Sequence, residues 1–213
     1  MSEAIQFDVN CRRCERLASF LDEVAAEYPD YHARPVAPFG AKKPKLLIVG
    51  LAPGMHGANA SGRPFTGDYA GILLYETLYE FGFSNQPESH ALDDGLQLKN
   101  CRITNAVKCL PPQNKPTGDE IKICNEFLKN ELQAMSAGSV ILALGSIAHG
   151  AVLRAFQLKA KDFPFKHNQA HAITKKLTLI DSYHCSRYNT QTKRLTTPMF
   201  HAVFEHIRKL LNG

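Results

Sequence analysis

Three stretches of this chain concentrate residues that could do chemistry, and each begins where an apolar run ends. Residues 50–68 read GLAPGMHGANASGRPFTGD, five glycines in nineteen positions, with Phe65 and Asp68 near the end. Glycine that dense lets backbone approach a ligand closely. The second stretch runs from Asn105 into CLPPQNKP at 109–116, and the third is SYHCSRYN at 182–189, with Lys193 and Arg194 beyond it. Together they offer a carboxylate, an imidazole, a carboxamide and an aromatic face. Each also has a plain structural reading. The glycine loop fits neither the dinucleotide nor the phosphate-loop pattern. Asp68 ahead of a helix is by default an N-cap, Phe65 could be core, and a single His at a strand end is more often a hydrogen-bonded structural residue.

Six cysteines accompany these loops, and with no secretory signal they read as thiols for a metal or cluster rather than as disulfides. Cys11 and Cys14 form a CxxC ahead of the first apolar run, whereas a thioredoxin-like site would follow a strand. Cys109 and Cys124 are separated by fourteen residues. A four-thiolate site closing the N-terminal arm onto the domain fits best, and spacing leaves zinc and an iron-sulfur cluster both open. Cys101 reads as a buried small apolar residue. Cys185 follows His184, but neighbours on an extended chain point to opposite faces, which weakens a Cys-His nucleophile pair.

These loops need strands to hold them, and the apolar runs supply them. Leu46 to Val49, Arg102 to Val107, Ser139 to Leu144 and Leu177 to Ile180 are short and largely branched or leucine-rich, as strands buried on both faces are. Helical patterns alternate with them. One follows Cys14, placing Leu17, Phe20, Leu21, Val24 and Tyr28 on one face; others run from Ile72 to Phe81, from Thr117 with Glu120 as a capping box, and from Ser146. The last starts at Thr197 as N-cap with Pro198 behind it, burying Phe200, Val203, Phe204 and Ile207. Strand and helix in alternation predict an α/β three-layer sandwich with a four-stranded parallel sheet between helices. Ligands of such sheets bind beyond the carboxyl ends of the strands, so the three loops should meet on one rim.

With 213 residues, 44% apolar and 21% charged, the chain is expected to form one domain over residues 1–213, with residues 1–45 as an arm carrying the CxxC and first helix. Disorder and a disulfide miniprotein are both disfavoured by this composition. A net charge of +5 permits a polyanionic partner without requiring one. No apolar run reaches membrane-spanning length, so no membrane partner and a cytoplasmic location are expected.

At these residues the sequence resembles the iron-sulfur uracil-DNA glycosylases, and within them the broad-specificity type b or family 5 branch. The resemblance rests on Cys11-x2-Cys14, the 50–68 run, ITNAVKCLPPQNKPT with Cys124 after it, and SYHCSRYNTQTKRLT, and it spans Cys11 to the final helix. It implies a uracil-DNA glycosylase-like fold and a 4Fe-4S cluster on Cys11, Cys14, Cys109 and Cys124, with zinc the lesser alternative. The implied reaction is hydrolysis of the N-glycosidic bond of uracil, and of deaminated purines such as hypoxanthine and xanthine, in double-stranded DNA by a monomeric enzyme. Related members carry a Glu where this chain has Leu51, which leaves Asp68 as the expected catalytic carboxylate beside His184. The family usually has Pro where this chain has Cys185, a change expected to loosen the loop and leave an oxidisable thiol near the site.

A base inside a duplex must be extruded before its glycosidic bond can be reached. Phe65 would stack it, Asn105 would read its donor and acceptor edge, and Gly50 and Ala52 would line the base pocket. His184 would hydrogen-bond the departing base, and Asp68 would stabilise the positive sugar and orient water. Ser186, Arg187, Lys193 and Arg194 would hold DNA phosphates, with Tyr188 as a wedge into the vacated stack. The competing reading is a metal-stabilised nucleic-acid-binding module with little activity. Phe65, Asp68, Asn105 and His184 together favour the enzyme.

Overall fold

The computed structural model describes residues 6–212. Its centre is a sheet in which β2 (Leu46–Gly50), β3 (Cys101–Asn105), β4 (Ser139–Leu144) and β6 (Leu177–Ser182) run parallel, in the order β3-β2-β4-β6. These are the four strands expected from the apolar runs. Two short antiparallel strands, β1 (Phe39–Gly40) on β3 and β5 (Ala170–Ala172) on β6, extend the sheet to six. At two and three residues, they are too short to leave a periodic signal in sequence.

Alternation along each strand builds the layers. Leu46 and Ile48, with Val140, Leu142 and Ile180, face α7 (Thr197–Asn212) and α3 (Tyr69–Glu80), which follows the one-turn α2 (Ala58–Ser61); Leu47 and Val49, with Ile141, Ala143 and Leu179, face α4 (Gly118–Gln133) and α5 (Ser146–Ala155). Period-two side chains of a strand covered on both sides must both be apolar, which explains the unbroken LLIV and VILAL runs. Phe200 and Phe204 of α7 are fully buried, each contributing roughly 1.5–3 kcal/mol relative to exposure. That helix begins one residue earlier than expected. Thr196, not Thr197, provides the cap, its hydroxyl accepting from Met199 N–H at 3.4 Å, so Pro198 takes the second helical position.

The N-terminal arm forms a third cluster. Leu17, Leu21 and Val24 of α1 (Glu15–Glu27) pack with Val107, Leu110 and Phe127. Arg16 forks onto Glu120 with bonds of 2.8 and 2.7 Å, and Glu120 also closes the capping box of α4 with Thr117. One carboxylate therefore caps a helix and anchors the arm. Among the described residues no helix is long and apolar enough to cross a membrane.

Candidate active site

The chain leaves β2 towards β3 on one side and leaves β4 towards β6 on the other, so a crevice opens between the carboxyl ends of β2 and β4. A cavity of about 490 Å³ fills it, lined by Ala52, Phe65, Asp68, Asn105, His184 and Ser186 among others. The three loops singled out in the sequence therefore converge on one rim. A fourth contributes too: Gly145, Ser146 and Ile147, leaving β4, complete the wall. Its signal was available, since the end of every parallel strand in such a sheet lies on that rim.

Phe65 and Asn105 are set by Gly50. Gly50 pairs in register with Asn105, and a β-carbon on it would lie 2.7 Å from Phe65 Cζ and closer still to Asn105 Oδ1. Only glycine lets both side chains fold over the strand end. Phe65 adopts φ +57°, a left-handed conformation rare for an aromatic residue. Its carbonyl presses against Gly71, where any side chain would collide with it, and the Tyr75 hydroxyl donates to the neighbouring Pro64 carbonyl at 2.7 Å. The Phe65 ring, 6% exposed, belongs to the core on one side and stacks with His184 at 5.8 Å and 26° on the other. It therefore packs in the core and also lines the pocket.

Asp68 likewise faces two ways. As N-cap of α3, its Oδ1 accepts from Gly71 N–H at 3.0 Å, while its Oδ2 faces Gly57 and Gly54. Burial pushes its carboxyl above the ordinary range, and backbone N–H groups of Gly71 and Ala70 draw it back. His184 is affected more strongly: burial alone pushes its pKa down to about 4, so the ring is neutral at pH 7. Its Nδ1 and the Asn105 Oδ1 are both buried without a hydrogen-bond partner. Groups left that way cost stability unless a ligand satisfies them.

Beyond the pocket, Ser186 caps the short helix α6 (Arg187–Gln191) by accepting from Asn189 N–H at 3.4 Å, while still lining the cavity. Arg187 and Tyr188 open α6, Tyr188 being 70% exposed. Arg187 lies over the Tyr69 ring at 5.9 Å and Arg194 over the Tyr183 ring at 4.8 Å; Lys193 is exposed. Cys185 points the other way into the core, fully buried, and burial raises its thiol. The expected oxidisable thiol is therefore shielded: the residue acts as an apolar filler. Cys101 is equally buried, as expected.

Cys11, Cys14, Cys109 and Cys124 surround one small void together with Leu17, Val107 and Phe127. Burial, with the neighbouring thiols adding to it, raises Cys14 to about 11 and raises Cys109 and Cys124 as well, and Lys108 N–H donates to Cys124 Sγ at 3.2 Å. A cation would let such thiols ionise. Four thiolates are a donor set that zinc and an iron-sulfur cluster both take. The arm also steadies the glycine loop: His32 and Ala33 donate backbone bonds to Ala60 and Asn59 at 3.0 Å each, and the Tyr31 hydroxyl pairs with His56 Nδ1 at 2.8 Å. Backbone hydrogen bonds of this kind leave no residue signature in the sequence.

An α/β sheet with a ligand crevice at its strand ends and a cysteine-bearing arm defines the class, and comparison with known proteins places the chain within it. The model of the uracil DNA glycosylase superfamily matches residues 37–208. Type-5 uracil-DNA glycosylases are similar over nearly the whole chain: that of Thermus thermophilus is 43% identical, covering 94% of this chain and 93% of its own, and that of Pyrobaculum aerophilum 41% identical, covering 88% and 83%. The solved structure of wild-type SMUG2 from Pedobacter heparinus shares the fold, with a TM-score of 0.51 at 14% identity over 80% of this chain and 77% of that one. The chain belongs to the uracil DNA glycosylase superfamily, among its type-5 members.

Proposed function

We propose that this chain, acting as one unit, is a monofunctional DNA glycosylase that hydrolyses the N-glycosidic bond of uracil in DNA and so starts base excision repair. The observation that carries this reading is the pair of buried, unpartnered atoms, Asn105 Oδ1 and His184 Nδ1, beside the Phe65 ring in one pocket. An extruded base stacks on Phe65, its polar edge meets the Asn105 carboxamide, and Gly50 and Ala52 give it room. Negative charge growing on the departing base is met by a neutral His184, which stabilises it by hydrogen bonding rather than by a full positive charge. Asp68 Oδ2 faces the sugar, stabilising its positive character and orienting water, while Oδ1 keeps the helix cap.

The substrate is a deaminated base in double-stranded DNA, met by a monomer. A cavity of about 490 Å³ admits bicyclic bases, so hypoxanthine and xanthine belong to the range. Arg187, Lys193 and Arg194 contact phosphates, with Ser186 at the start of their helix, and the exposed Tyr188 enters the vacated stack. Cys11, Cys14, Cys109 and Cys124 hold a 4Fe-4S cluster, supported by their lining one void. That group joins the arm to α4 and through it steadies the glycine loop. Labelled duplexes with a single uracil, hypoxanthine or xanthine, incubated with the protein and scored for abasic sites, test the proposal. Abasic sites at the position of the damaged base are expected; intact duplexes at saturating protein would leave the binding-module reading standing.

A further inference from the structure

A second cluster of metal-binding side chains lies under the other end of the sheet, away from the four cysteines. His149 of α5, His171 of β5 and Asp181 of β6 bring one ligand atom each within 4.8 Å of the others. Asp181 is fully buried, its Oδ1 2.7 Å from His149 Nδ1 and its Oδ2 3.4 Å from His171 Nε2. A carboxylate with no access to water is costly unless charge meets it. The candidate active site uses none of the three.

We propose that His149 Nδ1, His171 Nε2 and the Asp181 carboxylate form a binding site for one divalent transition metal of the zinc class. Two imidazoles and a carboxylate are a ligand set such ions take, with a fourth position left for water. The surroundings are built as outer shells of metal sites are. His149 Nε2 lies 2.9 Å from the Phe163 carbonyl, so it donates there and leaves Nδ1 for the ion; Lys166 N–H donates to Asp181 Oδ2 at 3.3 Å. The telling atom is His171 Nε2, buried, aimed at Asp181 and lacking a hydrogen bond. Phe163 sets its ring edge-on to His171 and Phe165 sets its ring edge-on to His149, walling the cluster from solvent.

Metal entry replaces the hydrogen bond between His149 and Asp181. The proton on His149 Nδ1 leaves to solvent, that nitrogen moves slightly off Oδ1, and both become ligands. The ion then ties α5, the edge strand β5 and β6 together three residues ahead of His184.

Zinc retention by the purified protein, cluster included, tests this. Wild type and His171→Gln are dialysed against excess Zn²⁺, then against metal-free buffer, and iron and zinc are counted. Wild type should keep one more equivalent of zinc than His171→Gln at equal iron, and zinc should raise the thermal midpoint of wild type only. His171 sits on a sheet edge, so Gln there leaves the fold standing. Equal zinc in both proteins, or zinc that disappears only when a cysteine is replaced, overturns the site.

Discussion

The Asp68 side chain lies directly over Gly57: a β-carbon on Gly57 would be 2.6 Å from Asp68 Cβ and 2.7 Å from Oδ2. Gly57 is thus a mould for the carboxylate. Since the blocked atom includes Cβ, Gly57→Ala forces the whole Asp68 side chain aside rather than a flexible tip. The single-turnover rate on a uracil duplex should fall about tenfold to a hundredfold, with DNA affinity nearly unchanged. Rapid-quench kinetics beside a binding titration would show it, and an unaltered rate would separate Gly57 from the chemistry.

Asp68→Asn distinguishes cap from catalyst. Asn caps a helix as well as Asp does, so stability should hold. Loss of the negative charge facing the sugar should lower the single-turnover rate by about two orders of magnitude, roughly 3 kcal/mol. A near wild-type rate would return Asp68 to capping alone.

His184 gives a pH signature. Its pKa is pushed down to about 4 in the folded chain against an ordinary value near 6.5, so the unfolded chain takes up the proton first as pH falls. Stability should therefore be complete above about pH 6.5 and decline between there and pH 4, by at most about 3 kcal/mol. His184→Gln should flatten that part of the urea-midpoint profile. The wild-type rate, by contrast, should show no His184 titration near neutrality, its acid limb following Asp68, whose carboxyl burial shifts upward.

Replacing Cys11, Cys14, Cys109 or Cys124 by Ala should remove the iron and leave poorly soluble protein, because metal binding and docking of the arm are one process. Cys101→Ala and Cys185→Ala should keep full iron, both thiols being core residues. Full iron in Cys109→Ala would overturn the ligand set.

DNA affinity should fall steeply with salt, with a slope reflecting on the order of 3 to 6 phosphate contacts. A triple Ala variant at Arg187, Lys193 and Arg194 should flatten that slope. The same slope in both proteins would place the phosphate contacts elsewhere.

The parallel strands, the helix starts at Cys14 and Thr117, and the chemical groups at the strand ends were all legible along the chain. Those features are local: apolar runs, caps and turn residues act within a few positions, and the order of strand and helix then restricts the sheet. Tertiary structure decided what required contact between distant segments. Gly50 matters because it is in register with Asn105, Gly57 because Asp68 lies over it, and Gly71 because the Phe65 carbonyl fills its side-chain space. Each glycine alone reads as an ordinary turn or helix residue. Cys185 and Cys124 are both thiols in sequence, yet one points into the core and the other into a cysteine-lined void, a difference set by the path of the loop after β6 and by helix rotation. Burial settled His184, since only the packed loops remove the water that would otherwise keep its ring at an ordinary pKa.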